Sequence, residues 1–249
     1  MSIQVFPDRQ TLIDGTAEYL TRIAADAIAK RGRFTIALSG GSTPRPVYSR
    51  LATEPFLHQI DWSRVHVFFG DERCVPPDDP RSNFRMAQDA LFEHVPLIPS
   101  NVHRIHGEDP PEKAAAAYAS ALERTLGGKS GQGAPADPID LVLLGMGDNG
   151  HTASLFPGMP DLLKDPQWVA AKYVDEVGMW RVTLTPVAIN PARHIAFLVS
   201  GADKAEMVAK IVEGPYQPVE LPSQIIKPTN GELRWLLDAP AAAQLKTTT

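Results

Sequence analysis

The chain is poor in several things, and each shortage closes off a class of protein. It has a single cysteine, Cys74, so no internal disulfide can form, and the usage fits a reducing cytoplasm, the expected location. No apolar run approaches the roughly 20 residues that a membrane-spanning helix needs, so no membrane association is predicted. The opening residues, Met1-Ser-Ile-Gln-Val-Phe-Pro-Asp8, lack the basic start and apolar centre of a secretory signal. There is no surplus of positive charge. At a net −5 the chain lacks the basic footprint of a nucleic-acid binder, so any anionic ligand has to be met by a few well-placed cations. His94, His103 and His106 fall in a Pro-rich connection without a zinc-like spacing or a neighbouring cysteine, and no metal site is predicted.

What is present is an ordinary globular composition, 43% hydrophobic and 21% charged over 249 residues, suited to one α/β domain spanning residues 1–249. Periodicity predicts a helix over 11–31, with Thr11 to Asp14 as its capping box. A strand over 33–38, a helix over 45–51, a strand over 65–69 and helices over 83–93 and 110–126 follow. The segment 127–138, dense in Gly, Pro and Ser, reads as a long surface loop. Further strands are predicted over 139–144, 168–174, 181–185 and 194–201, then a helix to Val212. Late strands are predicted over 222–226 and 233–237, and a tail from Ala239 that frays at its end.

The strand ends carry the chemistry. The run Ile139-Asp-Leu-Val-Leu-Leu144 empties into Gly145-Met-Gly-Asp-Asn-Gly-His151, three glycines that allow close backbone approach followed by an imidazole with an unperturbed pKa of about 6.5. The spelling Gly145-x-Gly147-x-x-Gly150 also matches a dinucleotide fingerprint, but Pro157 and Gly158 cut off the long helix such a loop has to open. The first strand ends in Ser39-Gly-Gly-Ser-Thr-Pro44, a small-residue loop leading into a helix, which is phosphate-binding geometry without the ending of a Walker loop. The second ends in Asp71-Glu-Arg73. Arg73 offers a fork for an oxyanion, with Asp71 and Glu72 either holding it or acting as acid and base. Lys204 stands at a fourth strand end. In a parallel sheet these ends converge on one edge, which predicts an anionic, phosphorylated substrate and a proton-transfer step. The reaction does not follow from this inventory.

Taken together, Ser39-Gly-Gly-Ser-Thr-Pro44, Asp71-Glu-Arg73 with Ser82-Asn83, Gly145-Met-Gly-x-x-Gly-His-Thr-Ala-Ser-Leu-Phe-Pro157 and Arg181-Val-Thr-Leu-Thr185 resemble the 6-phosphogluconolactonase family, from about residue 10 to residue 238. The resemblance implies a Rossmann-like three-layer α/β sandwich with a mostly parallel sheet, shared with glucosamine-6-phosphate deaminase. It implies hydrolysis of 6-phospho-D-glucono-1,5-lactone to 6-phosphogluconate in the oxidative pentose phosphate pathway, with no cofactor and no obligatory metal, by a monomer or weak homodimer. His151 would be the general base, with amides of residues 40–42 or 147–150 around the oxyanion. Ser42, Thr43, Arg73 and Lys204 would hold the phosphate, with Arg181 near the sugar or the phosphate. Ser39, Gly40, Gly41, Asp71, Asn83 and Gly147 complete the expected substrate site.

One departure stands out. The family usually has Asp two residues before the histidine, where this chain has Asn149, with Asp148 one place earlier. Asn149 is assigned to the catalytic pair with His151, and a swing of Asp148 toward the ring is left open. Two rival families fit the residues less well. Glucosamine-6-phosphate deaminase normally has Asp-Glu-Tyr in place of Asp71-Glu-Arg73, and Asn-Glu-Pro in place of the Ser154-Leu-Phe-Pro segment. A sugar-phosphate sensor would need a helix-turn-helix that the first 30 residues do not provide.

Overall fold

In the computed structural model, which describes residues 1–246, the elements in chain order are β1 (Ser2–Phe6), α1 (Arg9–Arg31), β2 (Phe34–Leu38), α2 (Pro44–Leu51), β3 (Val65–Phe69), β4 (Asp71–Arg73), α3 (Asn83–Ala90), α4 (Pro111–Leu126), β5 (Leu141–Leu144), α5 (Pro160–Leu163), β6 (Val169–Val174), β7 (Met179–Leu184), α6 (Pro186–Ile189), β8 (His194–Val199), α7 (Ala205–Glu213), β9 (Glu232–Asp238) and α8 (Ala239–Ala242). Six strands form a parallel sheet in the order β1-β9-β8-β5-β2-β3. Helices cover both faces, which is why β2 and β5 are apolar and buried almost without alternation. From β2 the chain moves outward to β3, then returns to β5 on the other side of β2. That reversal opens a crevice at the carboxyl ends of β2 and β5, where sheets of this kind bind ligands.

A second, antiparallel sheet of β4, β7 and β6 stands beside the first. Gly70 joins the two: its N–H donates to Leu38 (2.9 Å) in the large sheet and its carbonyl accepts from Leu184 (2.8 Å) in the small one. Asp71–Arg73 is therefore strand, where the sequence reading placed a strand-end loop.

Buried polar groups hold the frame. Asp140, 3% exposed, accepts from the backbone N–H (2.8 Å) and hydroxyl (3.0 Å) of Thr35 and pairs with Arg31 at 2.6 Å, fixing the starts of β2 and β5 against each other. Fully buried tyrosines finish two of the strands. The Tyr118 hydroxyl donates to the Phe69 carbonyl (2.8 Å) and accepts the Phe69 N–H (2.7 Å). Tyr48 does the same for Ser39, at 2.8 and 3.0 Å. Each bond is worth about 1 kcal/mol net, and leaving the strand-end groups unpaired in the interior would cost more.

Several boundaries differ from the sequence reading. Helix α1 starts at Arg9, and its capping box is made by Asp8, which accepts the Thr11 N–H at 2.8 Å while the Thr11 hydroxyl accepts the Asp8 N–H at 3.2 Å. Asp14, expected to close the box, instead pairs with Arg50 at 2.5 Å. Strand β1, not foreseen, is a partly exposed edge paired to β9. The segment Pro222–Ile225, expected as a strand, is a 3-10 turn. Pro222 and side-chain-to-backbone bonds from Ser223 and Gln224 compete with a ladder there. The predicted loop at 127–138 is anchored by Trp168, whose indole donates to Gly133 at 2.6 Å. Within the tail, Ala239–Ala242 is helical, and the end predicted to fray, 247–249, lies outside the described residues.

Candidate active site

The loop after β5 is folded around its histidine. The Gly147 N–H donates to the His151 carbonyl (2.9 Å), the Gly150 N–H to the Gly147 carbonyl (3.0 Å), and the Thr152 hydroxyl to the Gly145 carbonyl (2.8 Å). The Pro222–Ile225 turn supports the loop from below, with the Ser223 hydroxyl on the Gly150 carbonyl at 2.8 Å. Ala153 takes a left-handed φ of 48° in the tight turn that follows. The imidazole stacks on Phe156, centroids 4.1 Å apart. Its Nδ1 lies 2.6 Å from Asn149 Oδ1, which also accepts the His151 backbone N–H at 3.1 Å. An amide oxygen only accepts, so Nδ1 carries the proton and Nε2 keeps its lone pair. The ring's Nδ1 partner is Asn149 and not Asp148, which is paired with Lys204. The Asn149 Nδ2 donates to both carboxylate oxygens of Glu176, at 2.9 and 2.8 Å.

A Cβ at position 147 would fall 2.1 Å from Nδ1 and Cε1 of the imidazole. Gly147→Ala is therefore expected to displace the ring and lower kcat by about 100-fold, the scale of a 1 Å misplacement, with the melting temperature little changed. Steady-state kinetics beside a thermal melt check this.

The loop after β2 forms the facing wall. With Ser39 tied to Tyr48, the amides of Gly40, Gly41 and Ser42 make no hydrogen bond among the described residues. Thr43 is helical in conformation and its hydroxyl caps nothing, so it too is free for a ligand. Pro44 and Pro46 have no N–H, so the start of α2 supplies fewer donors than the sequence reading assumed, and the loop amides and hydroxyls supply the rest. Asn83 clamps this loop to the small sheet. Its side chain occupies the space a Cβ on Gly40 would need, 1.9 Å from Oδ1, and its Nδ2 donates to the Asp71 carbonyl at 2.9 Å.

The small sheet brings the cations. Arg73 and Arg181 are direct partners across β4 and β7, and Lys172 of β6 faces Arg181 on the other side. Side chains opposite one another in an antiparallel pair share a face, and like charges there repel. Among the described residues, the Nε atoms of Arg73 and Arg181 are buried without a partner, although Arg73 also donates to the Arg81 carbonyl. Asp71 accepts from the Ser154 hydroxyl at 2.6 Å. Glu72 has neither an acid–base place in the cavity nor an ion pair with Arg73. Its carboxylate is buried, raised above its ordinary pKa by that burial, and accepts the backbone N–H groups of Arg73 (2.8 Å), Asn83 (2.7 Å) and Phe84 (2.8 Å).

These walls enclose a cavity of about 390 Å³, within the range of small-molecule sites. Every residue the sequence assigned to catalysis or substrate binding lines it except Asn149, which stands behind His151, while Glu72, the acid–base alternative, does not line it. Phe156, Val177 and Ser200 also line it and were not nominated. Phe156 lies inside a quoted motif and was legible as an aromatic five positions after the histidine, whereas nothing in the local sequence marks Val177 or Ser200. Burial holds the His151 imidazole below its ordinary pKa, Asp71 and Glu176 pull it up, and Arg181 and Lys204 push it down. Lys204 in turn holds the Asp148 carboxyl below the usual range. Among the described residues, no cluster of His, Cys, Asp and Glu has the makings of a metal site, and no helix is long and apolar enough to cross a membrane.

A histidine sharing one cavity with two half-buried arginines, at the switch point of a parallel sheet, fits an α/β enzyme site for a small anionic substrate. Comparison with known proteins narrows the class. Residues 7–235 match the family described as glucosamine-6-phosphate isomerases/6-phosphogluconolactonase. The chain is 40% identical over 245 residues to a 6-phosphogluconolactonase of Nostoc sp., covering 98% of each chain. The solved 6-phosphogluconolactonase of Trypanosoma cruzi superposes with a TM-score of 0.86 at 30% identity, over 99% of this chain and 97% of that one. A monomeric glucosamine-6-phosphate deaminase, at 24% identity and a TM-score of 0.80 over 98% and 100% of the two chains, shares the fold. The chain belongs to the glucosamine-6-phosphate isomerase/6-phosphogluconolactonase family, and within it groups with the 6-phosphogluconolactonases, as the four motifs implied.

Proposed function

We propose that the chain hydrolyses 6-phospho-D-glucono-1,5-lactone to 6-phospho-D-gluconate with His151 as general base. The observation that carries this reading is the pairing, across one cavity, of an imidazole held by Nδ1 with two guanidiniums whose Nε atoms have no partner. The phosphate docks on Arg73 and Arg181, with Lys204 and the hydroxyls of Ser42 and Thr43 closing around it, and this distant grip sets the lactone carbonyl against the base. Nε2 takes a proton from water as the water oxygen bonds to the carbonyl carbon. The resulting oxyanion is met by the amides of residues 40–42 on the facing wall; in the other loop, those of Gly147 and Gly150 are consumed internally. Collapse of the tetrahedral species breaks the bond to the ring oxygen, which takes the proton back from the imidazolium.

The test is to generate the lactone in situ and follow its loss against the spontaneous rate, with glucosamine 6-phosphate deamination measured in parallel. Accelerated lactone loss without ammonia release is the expected result. Ammonia release, or lactone loss at the spontaneous rate, would overturn the reading.

A further inference from the structure

The Asn149 side chain is ambivalent in a way that a carboxylate is not. With Oδ1 toward the ring, it accepts from Nδ1–H and leaves Nε2 basic. Rotated by half a turn, it would donate from Nδ2 to Nδ1 and favour the tautomer with hydrogen on Nε2, which cannot accept a proton from water. Two contacts bear on the choice. One is the His151 backbone N–H, 3.1 Å from Oδ1. The other is Glu176, whose oxygens lie 2.9 and 2.8 Å from Nδ2. A carboxylate only accepts, so the face of the amide turned toward Glu176 has to be the NH₂.

Glu176 reaches the site from far along the chain. It belongs to the turn Asp175–Val177 between β6 and β7, the turn whose Val177 lines the cavity.

We propose that Glu176 is a positioning residue: by accepting from the Asn149 NH₂ through both carboxylate oxygens, it locks Oδ1 onto His151 Nδ1 and keeps the imidazole in the Nε2-basic tautomer. This rests on the reading of His151 as the base. It explains how the chain works with an amide where a carboxylate is usual: the carboxylate is one residue further out, and the amide passes on its orienting effect. The orienting effect exceeds the electrostatic one, because Glu176 is exposed and its charge is screened. The other charges facing the ring are Asp71 from β4, Arg181 from β7, Lys204 from the start of α7 and Asp148 from the ring's own loop, the last already paired with Lys204.

The test compares wild type, Glu176→Ala, Asn149→Asp, the double variant Asn149→Asp/Glu176→Ala, and His151→Ala. Each is followed by kcat and KM on the lactone and, where the histidine is present, by the nitrogen-15 shifts of the His151 ring above its titration. Glu176→Ala is expected to lower kcat about tenfold, the low end for loss of a group that orients a catalytic ligand, with KM held and the ring spectrum changing from one tautomer to a mixture. Asn149→Asp should restore kcat and the single tautomer when Glu176 is absent, because either carboxylate oxygen can accept from Nδ1. With Glu176 present, the same change sets two carboxylates against each other and should be the poorer enzyme of the two. Wild-type kcat and one tautomer in Glu176→Ala would overturn the proposal, as would failure of Asn149→Asp to rescue it. Full activity in His151→Ala would instead remove the base assignment, and the tautomer spectrum of Glu176→Ala would still decide the positioning role.

Discussion

With His151 replaced by alanine, turnover of the lactone is expected to fall by about 10³-fold, within the 10²–10⁴ that a positioned acid–base group contributes, while KM changes little. The imidazole handles the proton twice in the proposed scheme, at attack and at departure of the ring oxygen. Its loss raises both barriers without touching the cations that hold the phosphate. The ring also packs against Phe156, so a melt and the binding of 6-phosphogluconate should accompany the kinetics. Unchanged product affinity beside lost turnover separates chemistry from folding.

The pH profile offers a second check. A base works when neutral, so kcat/KM falls as the pH drops through the pKa of the free enzyme. Burial lowers that pKa, so the acid limb should lie below the ordinary histidine value of about 6.5. An acid limb above that value, or none that His151→Ala removes, would assign the base elsewhere.

How much of this was legible beforehand depends on the range of the interaction. The strand-end loops at 39–43 and 145–151 were readable because buried apolar runs ending in glycines and hydroxyls have few other uses, and the parallel sheet brought those ends together as expected. Features set by distant partners were not readable. The alternation in Arg181-Val-Thr-Leu-Thr185 signalled a strand but not a second sheet, and the register that sets Arg181 opposite Arg73 exists only once both are folded. Glu176 meets Asn149 across 27 positions, from a turn with no motif of its own. Asp71-Glu-Arg73 looked like three functional charges. Glu72 turned inward, where it accepts three backbone N–H groups, two of them from the distant loop at 82–84. The Pro222 turn failed as a strand for a related reason, since Ser223 is needed under Gly150.

The arginine pair should show the largest effect on binding. Arg73→Ala and Arg181→Ala are each expected to lower kcat/KM by about 10- to 100-fold, since a hydrogen bond to a charged group is worth roughly 1.5–3 kcal/mol. Most of each loss should fall on KM, with a smaller part on kcat, because the phosphate grip also aims the carbonyl. The double variant should lose less than the product of the two, as both guanidiniums act on one anion and each relieves repulsion from the other when removed. That relief predicts an opposite effect on the unliganded fold: each single variant should melt at or slightly above the wild-type temperature, as when a strained functional site is relaxed. Lysine at position 73 should rescue little, for it replaces a planar fork with a point charge. Unphosphorylated glucono-1,5-lactone is the internal control. Its hydrolysis is expected to need His151 but offers no phosphate to hold, so it should be nearly indifferent to both arginines. Equal losses on the two lactones would move Arg73 and Arg181 from phosphate binding to the reacting carbonyl, and an unchanged KM for the phosphorylated lactone would remove them from the site.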